Sequence, residues 1–544
     1  MHLSSLTIEN FRSINSLTWE PKPGLNVVVG ENGIGKSNIF LALSKALTSL
    51  ITNSPNFDAL DQRLGNVQTA ISVGCRFELD SRTADELLKS LVVNRIEPDK
   101  AAEALKRLQL LGNTLEVTSE WSALRWEKSV RLGPLYIQGD SAGAQLPISG
   151  QVEEWPEFLK RLANTYPSDA KLQSLLRTSP TVHLLRGLEQ GVGSTLNSRF
   201  RWIPEHRFRP LSSGQGGNME VVTGQETATV LFNLKNGSSE NQRRYETIQT
   251  EFNKLVPTLT IDATQPQAGG NVDVRFTDKA TGFEFMLANA SAGVGAILAW
   301  VTTIVAREDF VIVIENPELH LHPHGQRALY RLISDSASRN QIIVVTHSPI
   351  FVDPTKLDCL VRTYHDKNGT HISPMAQDLS PHQKAAIVET LREASNREVL
   401  FARAVLLVEG ETEEAFLPTV APRVGRDLDS ASVSVLSAGG EGGYGPYIRL
   451  LESLGIPFRC LRDKGPGGSA AEYQKFFTFL GTEFEDFMRE RGFQQLFKEA
   501  KKASGTSKVR EGRYLGTYID PKAVPELFTK LLDEVISAAS LSVT

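Results

Sequence analysis

Hydrophobic and polar positions alternate through the first 40 residues as they do in half-buried strands. The alternation gives way to LNVVVGENGIGKSNIFLALSKAL (25–47), an apolar strand, a glycine-rich turn and a helix with Ile39, Phe40, Leu43 and Leu47 on one face. Strand-like runs recur at ISVGCRFEL (71–79) and TLEVTSEW (114–121), with helical periodicity between them at 83–111. Residues 153–189 are helical in pattern but broken by prolines, and read as an insertion rather than a core layer. SENQRRYETIQTEFNKL (239–255) is a polar-faced helix, NVDVRF (271–276) and GFEFML (282–287) are strands, and a helix starts near Ser291. FVIVI (310–314) and QIIVV (341–345) are continuous apolar runs of the kind buried on both faces of a parallel sheet, with a helix between them. After about residue 395 the pattern restarts, with strands at AVLLVEG (404–410), SVSVLS (432–437) and PFRCLRD (457–463) separated by helices. The chain reads as α/β, with a second and smaller α/β domain at its end.

Composition narrows this little. At 544 residues, two or three domains are expected. With 40% hydrophobic and 22% charged residues the chain reads as soluble and globular, and a formal net charge of −5 means that any nucleic-acid surface must be local. Cys75, Cys359 and Cys460 are too scattered for a zinc cluster and odd in number, which points to a reducing cytoplasm. The start MHLSSLTIENF lacks the basic and apolar regions of a signal peptide. ILAWVTTIVA (297–306) is half a membrane span, so a buried helix and no membrane partner are expected.

The chemistry begins at Gly30-Glu31-Asn32-Gly33-Ile34-Gly35-Lys36-Ser37, which fits the P-loop pattern at every fixed position between a strand and a helix. Its glycines let backbone N–H groups turn toward phosphate, and the helix N-terminus adds a favourable field. Gly30, Asn32, Gly33, Gly35 and Asn38 are the expected cradle, Lys36 reaches the β- and γ-phosphates, and Ser37 holds Mg²⁺. Glu315 closes the strand FVIVIE, where a carboxylate binds Mg²⁺ directly or through water. SAGVG (291–295) opens a helix upstream, and VVTHSP (344–349) closes the next strand with His347.

Together Gly30–Ser37, Ser291-Ala292-Gly293, Glu315–Pro323 and Thr346-His347-Ser348-Pro349 resemble the P-loop, signature, Walker B and switch histidine of ABC-type ATPase heads, and LTIENFRSI (6–14) is similar to the start of their RecF and SMC branch. The resemblance implies that Ser291 and Gly293 of one protomer contact the γ-phosphate on another, that His347 touches it too, and that ATP binds at a homodimer interface. Contacts from 153–189 would make a tetramer the larger alternative. One departure matters. The residue after the Mg²⁺ carboxylate is a glutamate in that pattern, whereas Asn316 accepts a hydrogen bond from water but has no useful basicity. Losing a general base costs about 10²–10⁴ in rate, so slow hydrolysis is expected unless Glu318, beyond Pro317, substitutes. His320, His322 and His324 are interrupted by Pro323, and similar turns in the family hold no metal.

In the last domain Glu409 ends one strand, Glu413 lies one helical turn onward, and Asp463 ends a later strand. Carboxylates on neighbouring strand ends can share the divalent ions that phosphodiester cleavage uses. With the restarted alternation, this resembles a TOPRIM domain. An ABC-type head followed by TOPRIM is the arrangement of the OLD family of ATP-dependent nucleases, which includes the nuclease subunit of Gabija antiphage systems. The resemblance implies Mg²⁺ or Mn²⁺ at Glu409, Glu413 and Asp463, and Glu485 in GTEFEDF (481–487) resembles a further acid of these nucleases. The usual Asp-x-Asp reads Asp463-Lys464-Gly465 here, and none of Lys501, Lys502 and Lys508 fits the expected late lysine well. Those lysines lie in the basic stretch KEAKKASGTSKVREGR (498–513), either a solvated face or a phosphate contact whose affinity would fall steeply with salt. Arg201, Arg207 and Arg209 are candidates to line the DNA or nucleotide side of the head. The expected layout is an ATPase head over 1–152 and 201–395, a helical insertion at 153–200 and a TOPRIM domain at 396–544. The expected function is a cytoplasmic, ATP-regulated, metal-dependent DNA endonuclease in antiviral defence, with DNA, itself and a second defence protein as partners. The alternative is a RecF/SMC-like clamp or scaffold with a degenerate TOPRIM domain.

Overall fold

The computed structural model describes residues 1–52, 55–63, 69–80, 83, 114–122, 126–132, 135–140, 192–193, 195–204, 224–265, 271–375, 380–392, 395–465 and 475–541. Apart from Thr83, the helical periodicity at 83–111 lies outside these residues, as do the insertion at 153–189 and Arg207 and Arg209. The chain packs as two units, Met1–Val28 with Gly35–Thr346, and Val29–Ile34 with His347–Thr544.

In the first unit the early alternation becomes an antiparallel sheet. It is built from β1 (His2–Phe11), β2 (Ile14–Trp19), β4 (Ile71–Glu78), β5 (Thr114–Trp121), β6 (Trp126–Leu132) and β7 (Leu135–Asp140), in the order β2-β1-β4-β5-β6-β7. Leu6 and Ile8 on β1 and Val73 and Phe77 on β4 are fully buried, because residues two apart share a face. The continuous apolar runs behave differently. β3 (Leu25–Val29), β12 (Val311–Glu315) and β13 (Gln341–Val345) are buried at every residue. They pair in parallel, Ile342 opposite Leu25 and Glu315 opposite Val345, and β8 (Phe200–Ile203) extends the sheet beyond β12. A third sheet joins β9 (Leu259–Thr264), β10 (Asp273–Asp278) and β11 (Glu284–Met286). The predicted strand at 282–287 is shorter, since Leu287–Asn289 turns into a 3₁₀ helix just before Ser291.

Five elements carry or brace the candidate residues of this unit. Helix α1 (Lys36–Thr52) follows the glycine-rich turn. Helix α2 (Ser239–Leu255) starts where the Asn241 N–H donates to Ser238, and buries Tyr245, Ile248, Phe252 and Leu255. Helix α3 (Ala292–Ala306) is buried continuously from Ile297 to Val305, the fate of a helix apolar all round. Helix α4 (Pro323–Ser336) has proline in its first turn, where the missing N–H costs nothing. Arg201 on β8 bonds to Glu226 and to the carbonyls of Asn197 and Phe200, so it braces this unit rather than facing a ligand.

The second unit opens with a hairpin, β14 (Leu360–Asp366) and β15 (Gly369–Pro374). A parallel sheet follows, ordered β17-β16-β18-β19, from β16 (Ala404–Val408), β17 (Val433–Ser437), β18 (Phe458–Arg462) and β19 (Phe477–Phe479). Its helices include α5 (Glu411–Val420), α6 (Tyr444–Ser453), α7 (Gln494–Ser504), α8 (Lys508–Tyr518) and α9 (Glu526–Leu541). Phe416, Phe484, Phe487 and Phe528 form the aromatic centre of the core, with ring centroids 5.4–5.9 Å apart in successive pairs. Each buried ring stabilises by about 1.5–3 kcal/mol relative to exposure. Among the described residues, no helix is long and apolar enough to cross a membrane.

Candidate nucleotide and metal sites

The chain passes from one unit to the other inside the P-loop motif. Gly33 and Gly35 stand at φ 77° and 96°, a region glycine enters without a Cβ penalty. Gly30 has a second reason to be glycine, since a Cβ there would lie 2.4 Å from the Thr363 carbonyl oxygen. In the first unit α1 begins at Lys36, which is buried, and the Asn38 side chain donates to Ser13 Oγ at 2.9 Å. Asn38 thus braces the β1–β2 turn. Glu315, also buried, ends β12.

Beyond Glu315 the backbone turns sharply. Asn316 takes φ 46° and donates its N–H to the Val345 carbonyl at 2.8 Å. Asparagine is among the few residues besides glycine that enter this left-handed region readily. The Glu318 carboxylate does not point away to solvent, because Thr346 Oγ1 at the end of the neighbouring strand donates to it at 2.7 Å. His320 is left-handed as well, at φ 65°, and lies over the signature: a Cβ at position 293 would meet His320 Cβ at 2.8 Å. Gly293 is glycine because a side chain would strike His320. Ser291 caps α3, its Oγ accepting from the Val294 N–H at 3.3 Å, and both Ser291 and Ala292 are exposed. His322 Nδ1 accepts from the Gly325 N–H at 3.2 Å, so this histidine is the cap of α4.

In the second unit, the His347 ring lies 6.5 Å from that of Phe401. The acids gather at the ends of the parallel strands. Glu409 follows β16, and its Oε2 accepts the backbone N–H of Asp463, which follows β18, at 3.0 Å. Glu413 on the first turn of α5 is buried, and a Cβ at Gly410 would crowd its Oε2 at 3.0 Å. Burial, then the charges of Asp463, Glu485 and Glu409, push the Glu413 carboxyl up to about 7. Burial and Glu409 push Asp463 up to about 6, with Glu485 and Glu483 adding to the effect. Asp463 Oδ1 is buried with no hydrogen-bond partner.

Glu485 sits on the short helix Phe484–Met488, and Glu511 on α8 feels its charge. Glu511 escaped the sequence reading, although Gly512-x-x-x-Gly516 signals a close helix contact. A Cβ at Gly512 would come 2.2 Å from the Thr412 carbonyl, so α8 packs backbone to backbone on the helix that carries Glu413. Burial raises the Glu511 carboxyl, Glu485 raises it further, and the charges of Lys501 and Lys508 oppose them. Two of the three candidate lysines therefore lie within electrostatic reach of the acids. A Cβ at Gly465 would have nothing within 4 Å, so an aspartate would have room there.

Among the described residues no three His, Cys, Asp or Glu side chains converge closely enough to hold an ion as they stand. The donor set nevertheless suits a hard divalent cation: all oxygen, partly buried, one atom unpartnered, and carboxyls raised by burial and by the negative charges beside them. Uncompensated carboxylates repel, and a cation draws them together.

Comparison with known proteins agrees with this division of labour. A profile described as "Overcoming lysogenization defect protein-like, TOPRIM domain" matches residues 400–464. AAA domain profiles match residues 5–131 and, in a form described by the AbiEii toxin of a type IV TA system, residues 163–353. The "OLD nuclease" of Thermus scotoductus is 29% identical over 163 residues, 28% of this chain and 30% of that protein. The "DNA replication and repair protein RecF" of Shewanella pealeana is 31% identical over 123 residues, 22% of this chain and 32% of that one. The chain thus spans about a third of the length of these curated relatives. A solved SMC head, bound to the C-winged helix domain of ScpA, covers 70% of this chain and 98% of its own at 12% identity and a TM-score of 0.40. With sequences matching AAA ATPase and OLD-like TOPRIM profiles in one α/β chain, the protein is similar to the OLD family of ATPase–TOPRIM proteins.

Proposed function

We propose that this protein is an ATP-regulated, metal-dependent DNA endonuclease serving antiviral defence, with its TOPRIM domain at 396–544. The observation that carries the reading is the cluster of partly buried acids at the β16 and β18 ends, where burial and neighbouring negative charge raise the Glu413 and Asp463 carboxyls above their ordinary values in a stretch that matches OLD-like TOPRIM sequences. Glu409, Glu413 and Asp463 would hold Mg²⁺ or Mn²⁺, with Glu485 as a further ligand. Such ions activate water and stabilise charge on a phosphodiester during in-line displacement. Lys498, Lys501, Lys502, Lys508, Arg510 and Arg513 are all exposed on α7 and α8, and would bind the DNA backbone beside the acids.

At the ATPase head, Gly30, Asn32, Gly33 and Gly35 would cradle the phosphates, with Lys36 as counter-charge and Ser37 and Glu315 as Mg²⁺ ligands. Ser291 and Gly293 of a second copy, and His347, would meet the γ-phosphate. Asn316 would orient water without deprotonating it, so ATP is held longer than it is hydrolysed. A second reading, an ATP-dependent clamp or scaffold, draws on Gly465 in place of the second acid.

Plasmid and viral DNA incubated with Mg²⁺ or Mn²⁺, with and without ATP, decide between them. Cleavage by the wild type that is lost in Glu409→Ala supports the nuclease. No cleavage by either protein sinks it and leaves the clamp.

A further inference from the structure

Glu31 is a charged P-loop position that phosphate chemistry leaves unassigned. A carboxylate in a loop that receives a polyphosphate is electrostatically unfavourable unless something else holds it. In the second unit Arg403 Nε donates to Glu31 Oε2 at 2.6 Å, and Ser432 Oγ donates to Oε1 at 3.3 Å. Both side chains of the ion pair are largely shielded, at 33% and 22% exposure, so screening weakens it less than a surface pair.

Arg403 and Ser432 are the residues immediately before β16 and β17. They are tied to each other as well, the Arg403 N–H donating to the Ser432 carbonyl at 2.8 Å. Ser432 sits left-handed at φ 54°, a conformation that serine rarely adopts and that its neighbours must hold. The loop is gripped a second time, by Thr370 Oγ1 donating to the Ile34 carbonyl at 2.7 Å. Arg362, buried on β14, donates to the carbonyls of Ala402 at 3.1 Å and Leu454 at 2.8 Å, and so steadies the approach to β16 and the turn before β18. A cavity of about 200 Å³ lies beside the loop, lined by Glu31, Asn32, Arg362, His365 and Arg403.

β16 is five residues of fully buried strand. Such a strand is stiff and spans about 16 Å at 3.3 Å per residue. Arg403 stands at its entry and Glu409 at its exit. At that exit the Ala438 N–H bonds the Val408 carbonyl at 2.7 Å, and Asp463 bonds Glu409. Glu31 and the acids are thus tied to the two ends of one buried strand.

We propose that the Glu31–Arg403 ion pair, with Ser432, is the link through which nucleotide in the P-loop sets the position of Glu409 and Asp463. This rests on the ATP-regulated nuclease reading. Arg403 is a positioning residue, touching neither phosphate nor metal in this scheme.

The test is backbone hydrogen exchange of residues 404–409, with and without a non-hydrolysable ATP analogue in Mg²⁺, a readout that needs no nuclease activity. The wild type should change its exchange rate by about fivefold or more, the low end of ordinary allosteric coupling. Arg403→Met should lose that change even when a fluorescent-nucleotide titration shows the site saturated and the melting temperature stays near wild type, and Arg403→Lys should restore part of it. A wild type that shows no change on binding nucleotide overturns the link, as does an Arg403→Met protein that responds in full. If Arg403→Met melts early, Ser432→Ala replaces it, and an undiminished response there counts against the link. DNA cleavage measured alongside separates the two failures: cleavage with an insensitive β16 leaves the nuclease and removes the link, whereas a responsive β16 without cleavage does the reverse.

Discussion

Asn316 shows how one residue changes meaning between sequence and structure. In the sequence it is a missing base. In the fold it is also a backbone solution, since φ 46° is tolerated by asparagine and costs a longer side chain of the order of 1 kcal/mol. Steady-state ATP turnover should therefore be slow in the wild type and about 10²-fold or more faster in Asn316→Glu, at a small loss of stability. Fast wild-type turnover, indifferent to the substitution, would show that Glu318 in the grip of Thr346 already serves. The Glu413 and Asp463 carboxyls yield a pH signature. Both lie above their ordinary values, at about 7 and about 6, so their neutral forms favour the fold. That contribution is full below about pH 4 and is lost as pH rises through 6 and 7. The metal-free protein should accordingly melt at a lower temperature at pH 8 than at pH 5. Glu413→Gln should flatten the profile, and Mn²⁺ should raise the melting point most at pH 8. A Glu413→Gln profile as steep as the wild type's would remove Glu413 from the account.

At the scale of elements, the decisive contact in the second unit is between α5 and α8. Gly512 and Gly516 let α8 lie against the Thr412 and Phe416 carbonyls, and this contact delivers Glu511 and Lys508 to the neighbourhood of Glu485. Gly512→Val must push the helices apart and should destabilise the unit by about 1–3 kcal/mol. Urea unfolding followed by tyrosine and tryptophan fluorescence checks this, with Arg510→Ala on the exposed face as the neutral control. Equal stability of Gly512→Val and wild type would mean that the helices are free to separate.

For the whole molecule, the exposed N-terminus of α3 with its Ser291 cap is the surface to watch. An exposed helix N-terminus favours anions, and the γ-phosphate of a second copy is the anion that the ATPase-head reading supplies. ATP with Mg²⁺ should double the mass measured by light scattering, and Lys36→Ala and Ser291→Arg should each abolish the shift. A mass unchanged by nucleotide in the wild type would dispose of the ATP-driven dimer.

Much of this was legible in the residues themselves. The parallel strands at 311–315, 341–345 and 404–408 announce themselves as unbroken apolar runs because a strand covered on both faces has no polar side to show. The P-loop and the strand-end acids are legible for a related reason: phosphate and divalent cations demand fixed residue types at fixed spacing. What the sequence could not supply was juxtaposition across long separations. Thr346 on Glu318, His320 against Gly293, Glu511 near Glu485 and Arg403 on Glu31 join residues 26 to 372 positions apart, the first and last of these pairs being 28 and 372 apart. Local pattern records what each segment buries. Which charges then meet is decided only when the segments pack.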